Sequence, residues 1–192
     1  APDVWLRKGK EFSVKNIIKK LGLPLFVKPC SGGSSFGVSK VMKEEELEGA
    51  IKLAFRHSDT VLVETYISGR EITQGAYMDG KKIVALPVTE IIPHNTFFDY
   101  EAKYNGLSDE ICPANIDPAK VVEISAITRS IYDCLGCKGI VRVDYFLCDD
   151  GSVIFLELNT VPGMTAMSLV PQQIRAAGLD MMQVMTGIAD IT

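Results

Sequence analysis

Arg142, Asp144, Glu157 and Asn159 have the residue types and the spacing to do chemistry together, provided the two segments that carry them pair. Asp150-Gly151 lies between those segments and reads as a two-residue hairpin turn, because both positions accept positive φ. On that turn Asp149 pairs with Ser152, Asp144 faces Glu157 and Arg142 faces Asn159. The two-residue period of a strand then puts all four side chains on one face, shared nearer the turn by Phe146, Cys148, Val153 and Phe155. The opposite face carries Val141, Val143, Tyr145, Leu147, Ile154, Leu156 and Leu158, so it must be buried. Two carboxylates directly opposite each other repel, and a divalent cation removes the conflict. Two carboxylates and an amide offer only oxygen ligands, a set suited to Mg²⁺, which fills its remaining positions from water and substrate phosphates. Arg142, one pair further along, can stabilise developing negative charge. A solvated polar face on which Arg142 neutralises an acid accounts for the same pattern.

A second group of residues could hold phosphate. Lys28 ends an apolar strand and leads into Cys30-Ser31-Gly32-Gly33-Ser34-Ser35-Phe36-Gly37. Glycines let backbone N–H groups approach a phosphate closely, serines add hydroxyl donors and the lysine adds a point charge. The segment has no Gly-Lys-Ser/Thr and no helix opening at the glycines, so it is not a P-loop. A flexible surface hairpin has the same composition. Glu64 and Glu71 flank Thr65-Tyr66-Ile67-Ser68-Gly69-Arg70, and a carboxylate can accept hydrogen bonds from ribose hydroxyls.

The elements that must position these residues are mixed. Lys15–Leu21 reads as a short helix stopped by Gly22 and Pro24, and Leu25–Lys28, Val38–Val41 and Thr60–Tyr66 read as strands. Glu44–Arg56 has apolar residues at helical spacing and acids in its first turn, where the helix dipole favours them. Glu71–Tyr77 and Lys82–Val88 read as a hairpin around Asp79-Gly80. Asp117-Pro118 opens a helix with a capping Asp and Pro at its first position, and Gly136 stops it. Gly139–Cys148 and Ser152–Asn159 are the strands of the hairpin above, and Pro171 opens a short helix that ends near Gly178. The polar, aromatic stretch from His94 to Ala114 is long for a connection, and loops of this kind are usually functional or disordered. Without regular βαβ alternation the order favours an α+β fold.

Composition narrows the function. The 192 residues are 47% apolar and 23% charged, enough to build a core, and a net charge of −4 with no basic block argues against a nucleic-acid surface. Apolar runs are strand-sized and too short to span a membrane. The five dispersed cysteines, Cys30, Cys112, Cys134, Cys137 and Cys148, read as reduced thiols, and the C-x-x-C spacing at Cys134–Cys137 has no second pair. Ala1-Pro2-Asp3 lacks an initiator Met and a signal pattern and reads as a cut inside a longer protein, with a cytoplasmic location expected by default.

Taken in order, these motifs resemble the D-alanine–D-alanine ligase family over essentially the whole chain. They are Phe26-Val27-Lys28-Pro29 with Gly33-Ser34-Ser35-Phe36-Gly37, Val63-Glu64 through Ser68-Gly69-Arg70-Glu71, and Phe98-Asp99-Tyr100-Glu101-Ala102-Lys103-Tyr104. Cys112-Pro113-Ala114, Arg142-Val143-Asp144, Glu157-Leu158-Asn159-Thr160-Val161-Pro162-Gly163-Met164-Thr165 and Ser168-Leu169-Val170-Pro171 complete the set. The resemblance implies an ATP-grasp fold of two lobes, residues 1–70 and 71–192, with antiparallel sheets holding ATP between them. It implies that ATP phosphorylates one D-alanine and that the amine of a second attacks the acyl phosphate, yielding a dipeptide for peptidoglycan synthesis. ATP and Mg²⁺, with Mn²⁺ as a substitute, are the implied cofactors, and a homodimer is the implied parent.

Residue by residue, Asp144, Glu157 and Asn159 match the family's metal ligands, and Arg142 with Gly163 matches the groups that stabilise the tetrahedral intermediate. Lys28 and Lys103 match phosphate-contacting lysines, Ser34 and Ser35 lie in the phosphate loop, and Glu64 and Glu71 match nucleotide contacts. Ser168 and Leu169 match the site of the second substrate's carboxylate, and Asp99–Tyr104 matches a mobile loop that closes over the site. Gly32 stands where many members have Glu in a hydrogen-bond triad with the residues matching Ser34 and Tyr104, so lid closure must be held differently here. Ser31-Gly32 drifts toward the D-alanine–D-lactate ligases, whereas Tyr104 resembles the D-alanine-using type. The family's N-terminal domain and an ATP-contacting lysine would precede Ala1, so residues 1–192 alone are expected to fold without catalysing ligation. A D-lactate-using ligase and a non-catalytic nucleotide-binding module are the competing expectations.

Overall fold

The computed structural model describes residues 1–31, 36–93 and 108–189. The chain divides into two compact units between Ile67 and Ser68, three residues before the boundary drawn from the sequence. A Cβ on Gly69 would stand 2.8 Å from the Leu147 carbonyl oxygen, so the chain is already packed into the second unit at that point.

The first unit is a four-stranded antiparallel sheet in the order β1 (Asp3–Arg7), β4 (Thr60–Thr65), β2 (Leu25–Pro29) and β3 (Ser39–Val41). Helix α1 (Val14–Leu21) starts where the Ser13 hydroxyl accepts from the Asn16 N–H, and ends where Gly22 turns to φ +75°. Helix α2 (Glu44–Ala54) has three glutamates in its first turn, and Glu46 accepts from the backbone N–H groups of Met42 and Lys43 at 2.8 and 3.2 Å. Ile17 and Leu21 of α1 and Leu47 and Ile51 of α2 bury one sheet face through Leu25, Val27, Val41, Val61 and Val63. Strand alternation leaves Phe26, Lys28, Lys40 and Glu64 on the other face.

The second unit is a six-stranded antiparallel sheet in the order β10 (Val153–Asn159), β9 (Ile140–Leu147), β5 (Arg70–Asp79), β7 (Thr89–Pro93) and β8 (Ser108–Ile111), with β6 (Lys82–Ala85) also on β5. Helix α3 (Pro118–Cys134) begins as expected, with the Asp117 carboxylate accepting from the Ala119 N–H at 2.7 Å, and Gly136 closes it at φ +59°. Its Ile124 and Tyr132 cover the face formed by Ile72, Val141, Val143 and Tyr145. Helices α4 (Leu169–Ala176) and α5 (Met181–Ala189) cover part of the opposite face, with Val170, Ile174 and Val184 against Tyr77 and Leu86. All five cysteines are free thiols.

Two turns differ from their sequence reading. Asp79 pairs with Lys82, so the first hairpin turns on Gly80-Lys81, with Gly80 at φ +59°, instead of on Asp79-Gly80. In the β9–β10 hairpin the loop is Asp149-Asp150-Gly151: the Cys148 N–H bonds the Ser152 carbonyl, the Gly151 N–H bonds the Cys148 carbonyl, and Gly151 sits at φ +81°. A type I turn followed by a left-handed glycine is the usual three-residue solution. Asp150 stabilises it by accepting from the Ser152 N–H at 2.9 Å and the Ser152 hydroxyl at 2.6 Å.

The longer loop shifts the register by one, pairing Val153 with Leu147 and Phe155 with Tyr145. Val153 and Phe155 therefore lie on the α3 face, not beside the carboxylates, and the Phe155 ring meets Tyr145 edge-on at 6.4 Å. Ile154 takes the opposite face, paired with Phe146. A bulge between Phe155 and Glu157 then restores the lost residue, and Glu157 pairs with Asp144 and Asn159 with Arg142, as the sequence count places them.

Candidate active site

The carboxylates meet across β9 and the edge strand β10 of the second sheet. Asp144 on β9 is flanked by Glu157 on β10 and Thr73 on β5, and Arg142 by Asn159 and Gly75. The Asp144 side chain is 7% exposed, so its charge needs partners. Arg142 supplies a two-pronged pair, Nε to Oδ1 and Nη2 to Oδ2, both at 2.8 Å. Thr73 donates its hydroxyl to Oδ1 at 2.5 Å, and the Asn159 amide donates to Oδ2 at 3.2 Å. The same Asn159 nitrogen reaches Glu157 Oε1 at 3.4 Å. The oxygens of the two acids thus converge on one amide.

Burial alone would lower the Arg142 pKa, but its hydrogen bonds to Asp144 and the charges of Asp144, Glu157 and Glu71 outweigh burial and raise it. The guanidinium therefore stays charged. Every buried side-chain nitrogen and oxygen among the described residues has a hydrogen-bond partner. Among the described residues no cluster of three or more His, Cys, Asp or Glu side chains forms a metal cage. Two carboxylates and an amide still fit a hard cation that takes its other ligands from phosphates and water, as Mg²⁺ does. An asparagine can offer its carbonyl oxygen by a half-turn of χ2.

The loop that follows β10 is braced from its far end. Ser168 Oγ accepts from the Thr165 N–H at 3.1 Å and bonds the Thr165 hydroxyl at 2.8 Å. A Cβ on Gly163 would lie 2.9 Å from that Oγ, so only glycine lets the loop pass so close. Gln172 donates to the Met167 carbonyl at 2.8 Å and to Glu110, and Arg175 donates to the Ala166 carbonyl at 2.8 Å. Gly163 and Ser168 thus come together just ahead of Leu169, the first residue of α4.

In the first unit Lys28 and Glu64 form an ion pair on the sheet face away from the core. Phe26 lies 5.9 Å from the Tyr66 ring, and Lys40 Nζ stands 4.0 Å above it. Glu71 belongs to the second unit, on the Asp144 face of β5. Ser34, Ser35, Lys103 and Tyr104, with the loop 94–107, lie outside the described residues. Thr73 and the fully buried Gln173 were not anticipated from sequence; both become visible only once β5 is paired with β9 and α4 is docked.

The family model described as "D-ala D-ala ligase C-terminus" matches residues 3–190. The chain belongs to this family. Among curated relatives, the D-alanine–D-alanine ligase of Phocaeicola vulgatus is 49% identical over 190 residues, 99% of this chain and 59% of the relative. That of Bacteroides fragilis is 49% identical over 98% of this chain and 58% of the relative. The solved VanG D-Ala:D-Ser ligase of Enterococcus faecalis superposes with a TM-score of 0.87 at 36% identity, covering 98% of this chain and 55% of that one. The fold is accordingly ATP-grasp, of the α+β class. The chain spans a little over half the length of these relatives.

Proposed function

We propose that this chain is the ATP-binding and catalytic part of an enzyme that joins two D-alanines at the expense of ATP, through an acyl phosphate, and that residues 1–192 alone do not catalyse the ligation. The observation that carries the reading is the convergence of Asp144 and Glu157 on Asn159 with Arg142 one residue pair away. On this reading residues 1–67 form the central lobe and the remainder the catalytic lobe. Lys28, Lys103 and the Ser34-Ser35 loop contact the phosphates, and Glu64 and Glu71 contact the nucleoside.

Asp144, Glu157 and Asn159 would hold Mg²⁺, which supplies charge neutralisation for the nucleotide phosphates when bound. A carboxylate oxygen of the first D-alanine attacks the γ-phosphorus and ADP leaves. The amine of the second attacks the acyl carbon, loses a proton, and phosphate departs as the amide forms. Arg142, permanently charged, stabilises the oxyanion of that second addition together with the Gly163 N–H. Ser168 and the first turn of α4 face the acceptor carboxylate, which a helix N-terminus favours. Tyr104, in the stretch that matches the family's lid, and Ser34, in the phosphate loop, would help keep water from the acyl phosphate. The cytoplasm is the compartment that supplies ATP to such a reaction; no helix among the described residues is long and apolar enough to cross a membrane.

The test is product analysis by mass spectrometry with the intact protein, ATP, Mg²⁺ and an equimolar mixture of D-alanine, D-serine and D-lactate. D-alanyl-D-alanine as the main product, with stoichiometric ADP, supports the reading. A D-serine or D-lactate product replaces the acceptor assignment, and no ATP-dependent product at all overturns the function.

A further inference from the structure

The sheet of the second unit is broken along one edge of β5. β7 pairs with Glu71–Thr73 and β6 with Ala76–Asp79, so neither strand pairs with Gln74 or Gly75. The Gly75 carbonyl accepts from the Leu86 N–H just past β6 at 2.8 Å, but the Gly75 N–H has no strand partner on that side and would be buried unpaired, at a cost comparable to a lost hydrogen bond. Gln173 of α4 closes the break. Its Oε1 accepts from the Gly75 N–H at 2.7 Å, and its Nε2 donates to the Thr73 carbonyl at 3.1 Å and to the Thr89 hydroxyl at 3.0 Å. The fit is tight, since a Cβ on Gly75 would come within 2.7 Å of that Oε1.

Thr73 thus has its backbone fixed by Gln173, while its hydroxyl points into the carboxylate site. That hydroxyl has one proton and two acceptors in reach, Asp144 Oδ1 at 2.5 Å and the Val143 carbonyl at 3.3 Å. The shorter distance and the charged acceptor decide for Asp144. Arg142 grips both Asp144 oxygens from two residues along the same strand. Thr73 holds Oδ1 from the neighbouring strand β5 at 2.5 Å, closer than Asn159 holds Oδ2 from β10 at 3.2 Å, and is itself fully buried, so it ties the carboxylate to the sheet interior.

We propose that Thr73 is a positioning residue that orients Asp144 for cation binding, and that Gln173 holds Thr73 in place from α4. The cation site and the start of α4 then rest on one buried polar support. The inference depends on Asp144 being a cation ligand.

The test measures Mn²⁺ affinity of the intact protein with ADP present, by the electron paramagnetic resonance of free Mn²⁺, without turnover. Partners of metal ligands are typically worth about 10- to 100-fold in affinity, so Thr73→Val should weaken Mn²⁺ binding at least about ten-fold. Thr73→Ser keeps the hydroxyl and should restore native affinity, which a purely packing role would not. Should the valine variant fail to fold, Thr73→Ala carries the same expectation. Gln173→Met should weaken Mn²⁺ binding less than Thr73→Val, and should speed amide exchange over residues 168–172. Asp144→Asn should abolish binding; native affinity there removes the cation reading itself. Loss in Asp144→Asn with native affinity in Thr73→Val overturns the role of Thr73. Native affinity in Gln173→Met removes Gln173 from the support.

Discussion

Replacing Arg142 by methionine preserves much of the side chain's length and removes its charge. Asp144 would then be left with the hydroxyl of Thr73 and the amide of Asn159, at 2.5 and 3.2 Å, and no cation. Breaking a buried pair by removing one partner costs about 3–5 kcal/mol, because the remaining charge is uncompensated. With Arg142 18% and Asp144 7% exposed, and two donors retained, the lower end applies, about 3 kcal/mol. That is a large share of the stability of a domain and corresponds to a drop in melting temperature of about 10 °C. The assay is thermal and urea unfolding with chelator present and no nucleotide, so that no added cation replaces the guanidinium. The decisive variant is Arg142→Met combined with Asp144→Asn. If the loss comes from a stranded charge, neutralising Asp144 should recover most of it, leaving the double variant more stable than the single one. A double variant as unstable as Arg142→Met, or less stable, refutes the electrostatic account and assigns the loss to packing.

The other expectations concern the turn, the sheet break, the acids and alkaline stability. Gly151→Ala should cost about 1 kcal/mol in urea unfolding, because Gly151 sits at φ +81° with nothing closer to its missing Cβ than Lys120 Nζ at 3.8 Å. Gly75→Ala should cost more, about 1–3 kcal/mol, since its Cβ would press on Gln173 at 2.7 Å and Leu86 at 2.8 Å; equal losses in the two variants would contradict this. Glu157→Gln should lower metal-dependent turnover sharply and raise the Mg²⁺ concentration needed for half-maximal rate, and an unchanged Mg²⁺ profile would remove Glu157 from the site. Burial, opposed by the Thr128 hydrogen bond and assisted by the charge of Asp144, pushes the Tyr145 phenol up to about 12. The unfolded chain releases that proton near pH 10, so this contribution to stability is complete below about pH 10 and is lost as pH rises toward 12. Tyr145→Phe should flatten the fall in stability across that window, read from unfolding midpoints at successive pH values.

Much of the fold is written locally. Asp117-Pro118 and Gly136 bound α3 as capping chemistry requires, and the acidic first turn and apolar spacing of Glu44–Ala54 mark α2. Elements without such local marks went unread. Strands β1, β7 and β8 are short, and α5, Met181–Ala189, has no acidic first turn and no basic last turn. Each is stabilised by packing on neighbours distant in sequence, as Val184 of α5 is against Tyr77 and Leu86.

The site shows where the line falls. Residue types and a period of two were enough to put Arg142, Asp144, Glu157 and Asn159 on one face, because hairpin register is a local property. The count nevertheless passed through two one-residue errors, a three-residue loop and a bulge, that cancel at Asp144 and misplace Val153 and Phe155 between them. Which faces those carboxylates share with Thr73, and which helix closes the break behind it, depend on β5 pairing with β9 across some seventy residues. No periodicity encodes such a pairing. It is decided when two sheet faces and three helices find the one arrangement that buries Val143 and Tyr145 under α3 while leaving no backbone group beside Gly75 without a partner.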